Sequence, residues 1–285
     1  MRGFQPLLVL ALGLQIGELP AVIAFPDSVV GERGISSAAY GKDDNEIVFM
    51  IWPNAPELPA IMVSRRSSTG WSRPVAALTG FSGVNIGPAV GTDGKLYFES
   101  NHRDPQIPGR RDTDIWVAMR DGNTWKDARP LGFPFNSEFQ EHNVSVSAGG
   151  ALCFNSTRPG GFGEHDIYCS SRDGEMWREP VNLGSAVNSA STDGAAHIDT
   201  EERFIVFGSD RPGGAGGDDL YISTRRDGVW QPAVNLGPTI NTAAGEWAPA
   251  LSRDGKRLLF TRAVGEGSSA RFTVHEVAFD PGRYR

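Results

Sequence analysis

Residues 207–230 read FGSDRPGGAGGDDLYISTRRDGVW, and QPAVNLG follows. Residues 154–177 read FNSTRPGGFGEHDIYCSSRDGEMW, and REPVNLG follows. The two phrases begin 53 residues apart. A weaker copy spans Phe98 to Trp125, and a degenerate one ends at Trp71. Self-similarity at this period marks a repeat architecture, in which each copy is one supersecondary unit stacked on its neighbours.

Each unit reads as four short strands. In the clearest copy, Ala195 to Ile198 is an inner apolar strand, Thr200-Glu201-Glu202 a turn, and Arg203 to Phe207 a second strand. The glycine-rich stretch Arg211 to Gly217 is a hairpin loop, and Leu220 to Thr224 alternates as a third strand. Asp227-Gly228 is a tight-turn dipeptide that supplies positive φ cheaply. Trp230 to Leu236 is the fourth strand, and Pro232 inside it demands an outer edge. Four antiparallel strands per unit, repeated radially, make propeller blades. The second strands centre on Phe49, Phe98, Phe154, Phe207 and Phe260, so the sequence predicts an all-β, five-bladed β-propeller. The fifth unit shows no fourth strand before Arg285. Asp27 to Gly31, DSVVG, resembles the VNLG edge, and an N-terminal strand is expected to close the ring and remove an exposed edge.

The phrase S-x-R-P-G-G-x-G-G-x-D-[IL]-Y, with its trailing R-D-G-x-W and P-V-N-L-G, resembles the WD40-like β-propeller repeat of TolB-type propellers and of cell-envelope proteins. The resemblance covers roughly residues 35 to 275. It implies an exported protein that acts through protein contacts, and the partner expected on the upper face and channel mouth is an envelope protein or glycan. It does not define an activity, because one propeller fold carries many functions.

Residues 1–24 stand apart. Arg2, the apolar run Leu7 to Ile16 and the Val22-Ile23-Ala24 triplet read as a secretory signal peptide cleaved after Ala24, leaving 25–285 as a single propeller in the periplasm or outside the cell. The net charge of −7 and the lack of a Lys/Arg run exclude a nucleic-acid partner. After residue 24 no apolar run is long enough to span a membrane. Cys153 and Cys169 fall on the second and third strands of blade three. An oxidising compartment permits a cross-strand disulfide between them, and two buried thiols are the alternative. The glycosylation patterns at Asn143 and Asn155 fall on strands, which argues against their use.

Propeller ligands bind at the mouth of the central channel, where the inner strands begin. Aligned on the turn after the inner strand, one column reads Ile35, Asn85, Glu141, Asp193 and Glu246. The next reads Ser36, Ile86, His142, Gly194 and Trp247. Asn85, Glu141, His142, Asp193, Glu246 and Trp247 are therefore the candidate ligand-binding residues. Glu141, Asp193 and Glu246 ringing one opening invite comparison with five-bladed furanosidases such as the arabinanases, which place three carboxylates around such a channel. A glycosidase needs its two working carboxyls about 5 to 10 Å apart. Against this stand the recurring Arg103, Arg158, Arg211 and Arg262, each placed to hold a carboxylate in a bidentate pair that ties neighbouring blades.

Recurrence at one structural position also assigns Asp114, Asp166 and Asp219 to loop hydrogen bonding, and Trp71, Trp125, Trp177 and Trp230 to packing near the rim. His102, His142, His165 and His197 lack metal-ligand spacing, so no metal or other cofactor is expected. No G-x-S-x-G elbow supports nucleophilic catalysis. The sequence thus reads as a binding or scaffolding propeller rather than an enzyme. Glycoside hydrolysis or lyase chemistry on the carboxylate ring is the second reading, and sugar binding without turnover the third.

Overall fold

The computed structural model describes residues 21–25, 30–52, 58–68, 70–102, 113–174, 176–265 and 270–284. Five antiparallel sheets form the blades of a propeller. Their inner strands are Ile35–Tyr40, Asn85–Val90, Glu141–Val146, Asp193–Ile198 and Gly245–Leu251. The second strands are Glu46–Ile51, Leu96–Ser100, Leu152–Ser156, Phe204–Ser209 and Arg257–Val264, and the third are Ala60–Ser67, Asp114–Asp121, Asp166–Ser170, Asp219–Arg226 and Arg271–Ala278. Phe49, Phe98, Phe154, Phe207 and Phe260 occupy one column of the second strands and are at most 1% exposed. Full burial of an aromatic side chain stabilises by about 1.5–3 kcal/mol, so this column supplies the core between neighbouring blades.

The outer strands are the least regular part. In blade four the expected strand from Trp230 to Leu236 splits into Val229–Trp230 and Val234–Asn235, both paired with the third strand. Pro232 lies between them, where its missing N–H breaks the ladder.

Each inner strand carries the same irregularity. Ser37, Gly87, Asn143, Ala195 and Ala248 all have φ between 47° and 58°, and the register with the second strand shifts at that point in every blade. A bulge of this kind bends the strand and increases its twist. Here it brings small residues of all five inner strands around a channel of about 30 Å³, lined among others by Ala39, Ala89, Val144, Ala196 and Ala250. At the lower end, Arg253 Nη2 donates to the carbonyls of Gly41 at 2.8 Å and Gly91 at 3.4 Å, bridging blade five to blades one and two.

The N-terminal segment closes the ring, but with residues other than those expected. Ala21–Ile23 pairs antiparallel with Val274–Glu276 and is the outer strand of blade five. The expected Asp27–Gly31 segment lies mostly outside the described residues. Ile23 is buried, and Phe25 stacks on Phe49 with ring centroids 5.1 Å apart. The closing strand thus precedes the cleavage point expected after Ala24. A second clasp joins the same blades: Glu276 accepts from Tyr40 Oη at 2.7 Å and Arg257 Nη1 at 3.1 Å, and Arg257 Nη2 reaches Asp44 at 2.6 Å.

Cys153 and Cys169 face each other in the register of blade three and are joined by a disulfide. The recurring tryptophans follow an arginine by five residues. Arg66, Arg120, Arg172 and Arg225 lie over Trp71, Trp125, Trp177 and Trp230 at 4.2–5.5 Å from the ring centroids, a cation–π pair in each of four blades.

Candidate functional site

The carboxylates of the first column are wholly committed to the scaffold. Glu141, Asp193 and Glu246 are each 0% exposed. Asp193 accepts from the Ser189 backbone N–H, from Ser189 Oγ at 2.8 Å and from Arg211 Nη2. Glu246 accepts from the Thr242 N–H at 2.8 Å, Thr242 Oγ1 at 2.6 Å and Arg262 Nε at 2.7 Å. Glu141 repeats the arrangement with Ser137 and Arg158. The same arginines donate to the carbonyls of Phe135, Val187 and Ile240 in the incoming connectors. Each pair therefore fastens a blade's first two strands to the connector that enters it, through a single carboxylate oxygen and within one blade, where a bidentate tie between neighbouring blades was expected. Arg103 lies outside the described residues. Asn85 is buried and donates to the Gly83 carbonyl at 3.2 Å.

A second scaffold motif went unread in the sequence. Asn188 donates to the Ile167 carbonyl and accepts from the Ile167 N–H, and it also donates to Asn182. Asn182 in turn donates to Asp166 at 2.7 Å, which receives the loop N–H groups of Phe162 and Gly163. Asn241, Asn235 and Asp219 reproduce this set in blade four. Asn136 clasps Ile115 in blade two. The signal was the recurring N-[ST]-x-x-x-[DE] at Asn136, Asn188 and Asn241. Asp166 and Asp219 thus hold loops, as their recurrence implied.

The second column lies differently. His142 and Trp247 line an upper-face cavity of about 250 Å³ together with Asn155, His165, Gly208 and Asp218. These come from blades three, four and five. Glu99 Oε2 lies 2.7 Å from His142 Nδ1 and orients the imidazole. The His142 and His165 rings are 5.6 Å apart. Burial, then the neighbouring His142, lowers the pKa of His165, which keeps it neutral. Burial, then Asp210 and Asp219, raises the pKa of Asp218 toward the neutral acid. Trp247 meets Phe272 edge to face at 6.1 Å. His165 and Asp218 occupy equivalent repeat positions, each just before the loop-holding Asp166 or Asp219. A variable residue beside an unvarying one was the sequence signal for both.

The upper ends of the blades are also linked in a ring. A second-strand side chain of one blade accepts from the left-handed bulge residue of the next. Met50 Sδ takes the Gly87 N–H at 3.2 Å, Glu99 Oε1 the Asn143 N–H at 2.8 Å, and Asn155 Oδ1 the Ala195 N–H at 3.3 Å. Thr261 Oγ1 takes the Ser37 N–H at 2.8 Å and joins the last blade to the first. At the remaining interface the accepting position is Gly208. There the Ala248 N–H meets no side-chain acceptor among the described residues.

Among the described residues no group of three His, Cys, Asp or Glu is arranged to hold a metal ion, and no helix is long and apolar enough to cross a membrane. The sequence matches no protein-family profile and no curated protein. The fold is similar to that of several solved structures. TolB from Acinetobacter baumannii aligns with a TM-score of 0.52 and 17% identity over 91% of this chain, which spans 63% of that protein. A thermostable family-43 glycoside hydrolase aligns with a TM-score of 0.58 and 13% identity, covering 90% of this chain and 94% of the enzyme. An endo-arabinase from Bacteroides thetaiotaomicron aligns with a TM-score of 0.55 and 13% identity, covering 88% and 96%. These likenesses define the class of fold, a β-propeller, and at such identities they speak for the fold alone.

Proposed function

We propose that the protein is an exported, TolB-like binding module of the cell envelope, which holds a protein or glycan partner on its upper face and channel mouth without turning it over. The observation that carries this reading is the commitment of Glu141, Asp193 and Glu246. Each is fully buried and paired with an arginine. A glycosidase needs one such group protonated and another free to act on substrate or water. The propeller likeness to glycoside hydrolases keeps hydrolysis as the second reading. Of the candidate set, His142 and Trp247 line the upper-face cavity, with His165 and Asp218 beside them.

Export rests on the leader-like residues 1–24 and gains support from the disulfide, which persists in the periplasm or outside the cell. The test is a reducing-sugar release assay on plant and bacterial polysaccharides, with an E141A/D193A/E246A variant alongside. The reading expects no release and a markedly less stable variant. Turnover by the native protein that disappears in a still-folded variant would establish the hydrolase instead.

A further inference from the structure

The ring of hydrogen bonds between blades is complete at four interfaces and open at one. At that opening two glycines, Gly194 and Gly208, stand opposite each other in blade four. Their roles differ. A Cβ on Gly194 would come within 3.0 Å of the Asn155 amide, so this glycine makes room for a neighbouring side chain. A Cβ on Gly208 would meet nothing closer than Trp247 Cβ at 3.7 Å, an ordinary contact. The space above Gly208 is therefore unfilled by protein and forms part of the upper-face cavity.

The lining of that cavity selects a ligand. Its volume, about 250 Å³, is below the ≈ 300–1,000 Å³ of clefts that take drug-sized molecules, and suits a single ring. Trp247 offers an aromatic surface, and His165 and Asp218 bring polar groups, while the Asn155 amide is already engaged by Ala195, Asn143 and His165. His165 is held neutral by burial and by His142, and the Asp218 carboxyl, its pKa raised by burial and by Asp210 and Asp219, disfavours an anionic ligand. A carboxyl and a neutral imidazole beside an indole suit an uncharged polyhydroxyl ring, whose C–H face packs on the aromatic while its hydroxyls take up the polar groups.

Resting on the binding reading above, we propose that the gap at Gly208 is a subsite for one ring of an uncharged saccharide. A hydroxyl oxygen of the sugar accepts from the Ala248 N–H in place of the missing side chain, and the sugar face lies against Trp247. The ligand thereby completes the inter-blade ring that the protein leaves open.

Gly208→Ser is the direct test, because its hydroxyl supplies the acceptor that Thr261 supplies at the equivalent position in blade five. The probes are cellotriose, xylotriose, arabinotriose and the N-acetylglucosamine trimer, titrated calorimetrically and by tryptophan fluorescence into the intact protein. At least one is expected to bind and perturb the fluorescence. Gly208→Ser should weaken it about tenfold or more, as loss of about 1.4 kcal/mol implies, while raising the melting temperature of the unliganded protein. Trp247→Ala should abolish the fluorescence response. Binding unaffected by Gly208→Ser, or no binding of any probe, overturns the subsite. In the latter case a partner protein that crosslinks to the upper face would leave the binding-module reading standing. Binding that follows the expected pattern but is accompanied by hydrolysis would support the subsite and overturn the reading without turnover.

Discussion

Thr261 Oγ1 in the last blade accepts the Ser37 N–H of the first at 2.8 Å. These residues are 224 positions apart in the chain, and their contact joins the two ends of the propeller. Replacing Thr261 with Val removes the acceptor from a residue with no exposed surface and leaves the Ser37 N–H unsatisfied. The expected loss is about 1–3 kcal/mol, read by urea denaturation, whereas Thr261→Ser should stay near the native value. Equal stability of all three proteins would show that the bond contributes nothing to closure.

The buried carboxylate–arginine pairs predict an asymmetric mutational response. Arg211→Met leaves the Asp193 carboxylate buried beside Ser189, and breaking one side of such a pair costs about 3–5 kcal/mol. Removing both charges with Arg211→Met and Asp193→Leu should recover much of that loss. A double-mutant cycle on chemical unfolding checks it; strictly additive effects would mean that the two groups do not depend on each other.

Reduction of the Cys153–Cys169 disulfide should loosen blade three. The bridge closes a 16-residue separation, for which chain-entropy reasoning gives about 3 kcal/mol. The Cys153→Ala/Cys169→Ala protein should melt lower by a corresponding amount, and its melting should no longer respond to a reductant. A native protein insensitive to reductant under conditions that demonstrably break the bridge would count against this.

Two histidines predict acid lability. Burial lowers the pKa of both His197 and His275 from 6.5 to about 4. His197 lines the narrow channel near Asp199 and Arg253, and His275 stacks on Phe260. Each is neutral in the fold and free to protonate in the unfolded chain, so between pH 6.5 and 4 the unfolded chain binds more protons. Their contribution is fully present above about 6.5 and falls away as pH drops toward 4, by up to about 2–3 kcal/mol per histidine. Gln in place of both residues should flatten the stability–pH curve over that window; a curve of unchanged slope would assign the acid sensitivity to other groups.

The outer strand of blade five predicts the effect of N-terminal trimming. A chain beginning at Phe25 lacks Ala21–Ile23 and its pairing with Val274–Glu276. It loses the burial of Ile23, about 2–3 kcal/mol, and exposes the edge of Arg271–Ala278. It should melt lower than a chain beginning at Ala21. The intact mass of the exported protein tells which of the two forms blade five takes, since cleavage after Ala24 removes the strand.

How much was legible in the sequence follows from where the controlling interactions lie. The phenylalanine column recurs once per repeat, and the Asp-Gly turns and the Pro in the outer strand act within one repeat, so five blades and their strand order could be read from spacing. Glu141, Asp193 and Glu246 were found as a column, and their recurrence with arginine pointed to the pairing, though not to its single-contact geometry within one blade. Which N-terminal residues close the ring was not legible, because Ala21–Ile23 has no repeat counterpart to align with and its partner lies some 250 residues away.

The sequence by itself determined the repeat, the strand pattern and the loop-holding side chains, since local spacing dictates contacts within a blade. Only the tertiary structure decided the disulfide, whose formation needs two cysteines in register across a strand pair, and the left-handed bulge, which most of its residues do not announce by type. The open position at Gly208 is also a tertiary fact. A glycine in one blade becomes a gap only when the neighbouring blade brings an indole to the same space.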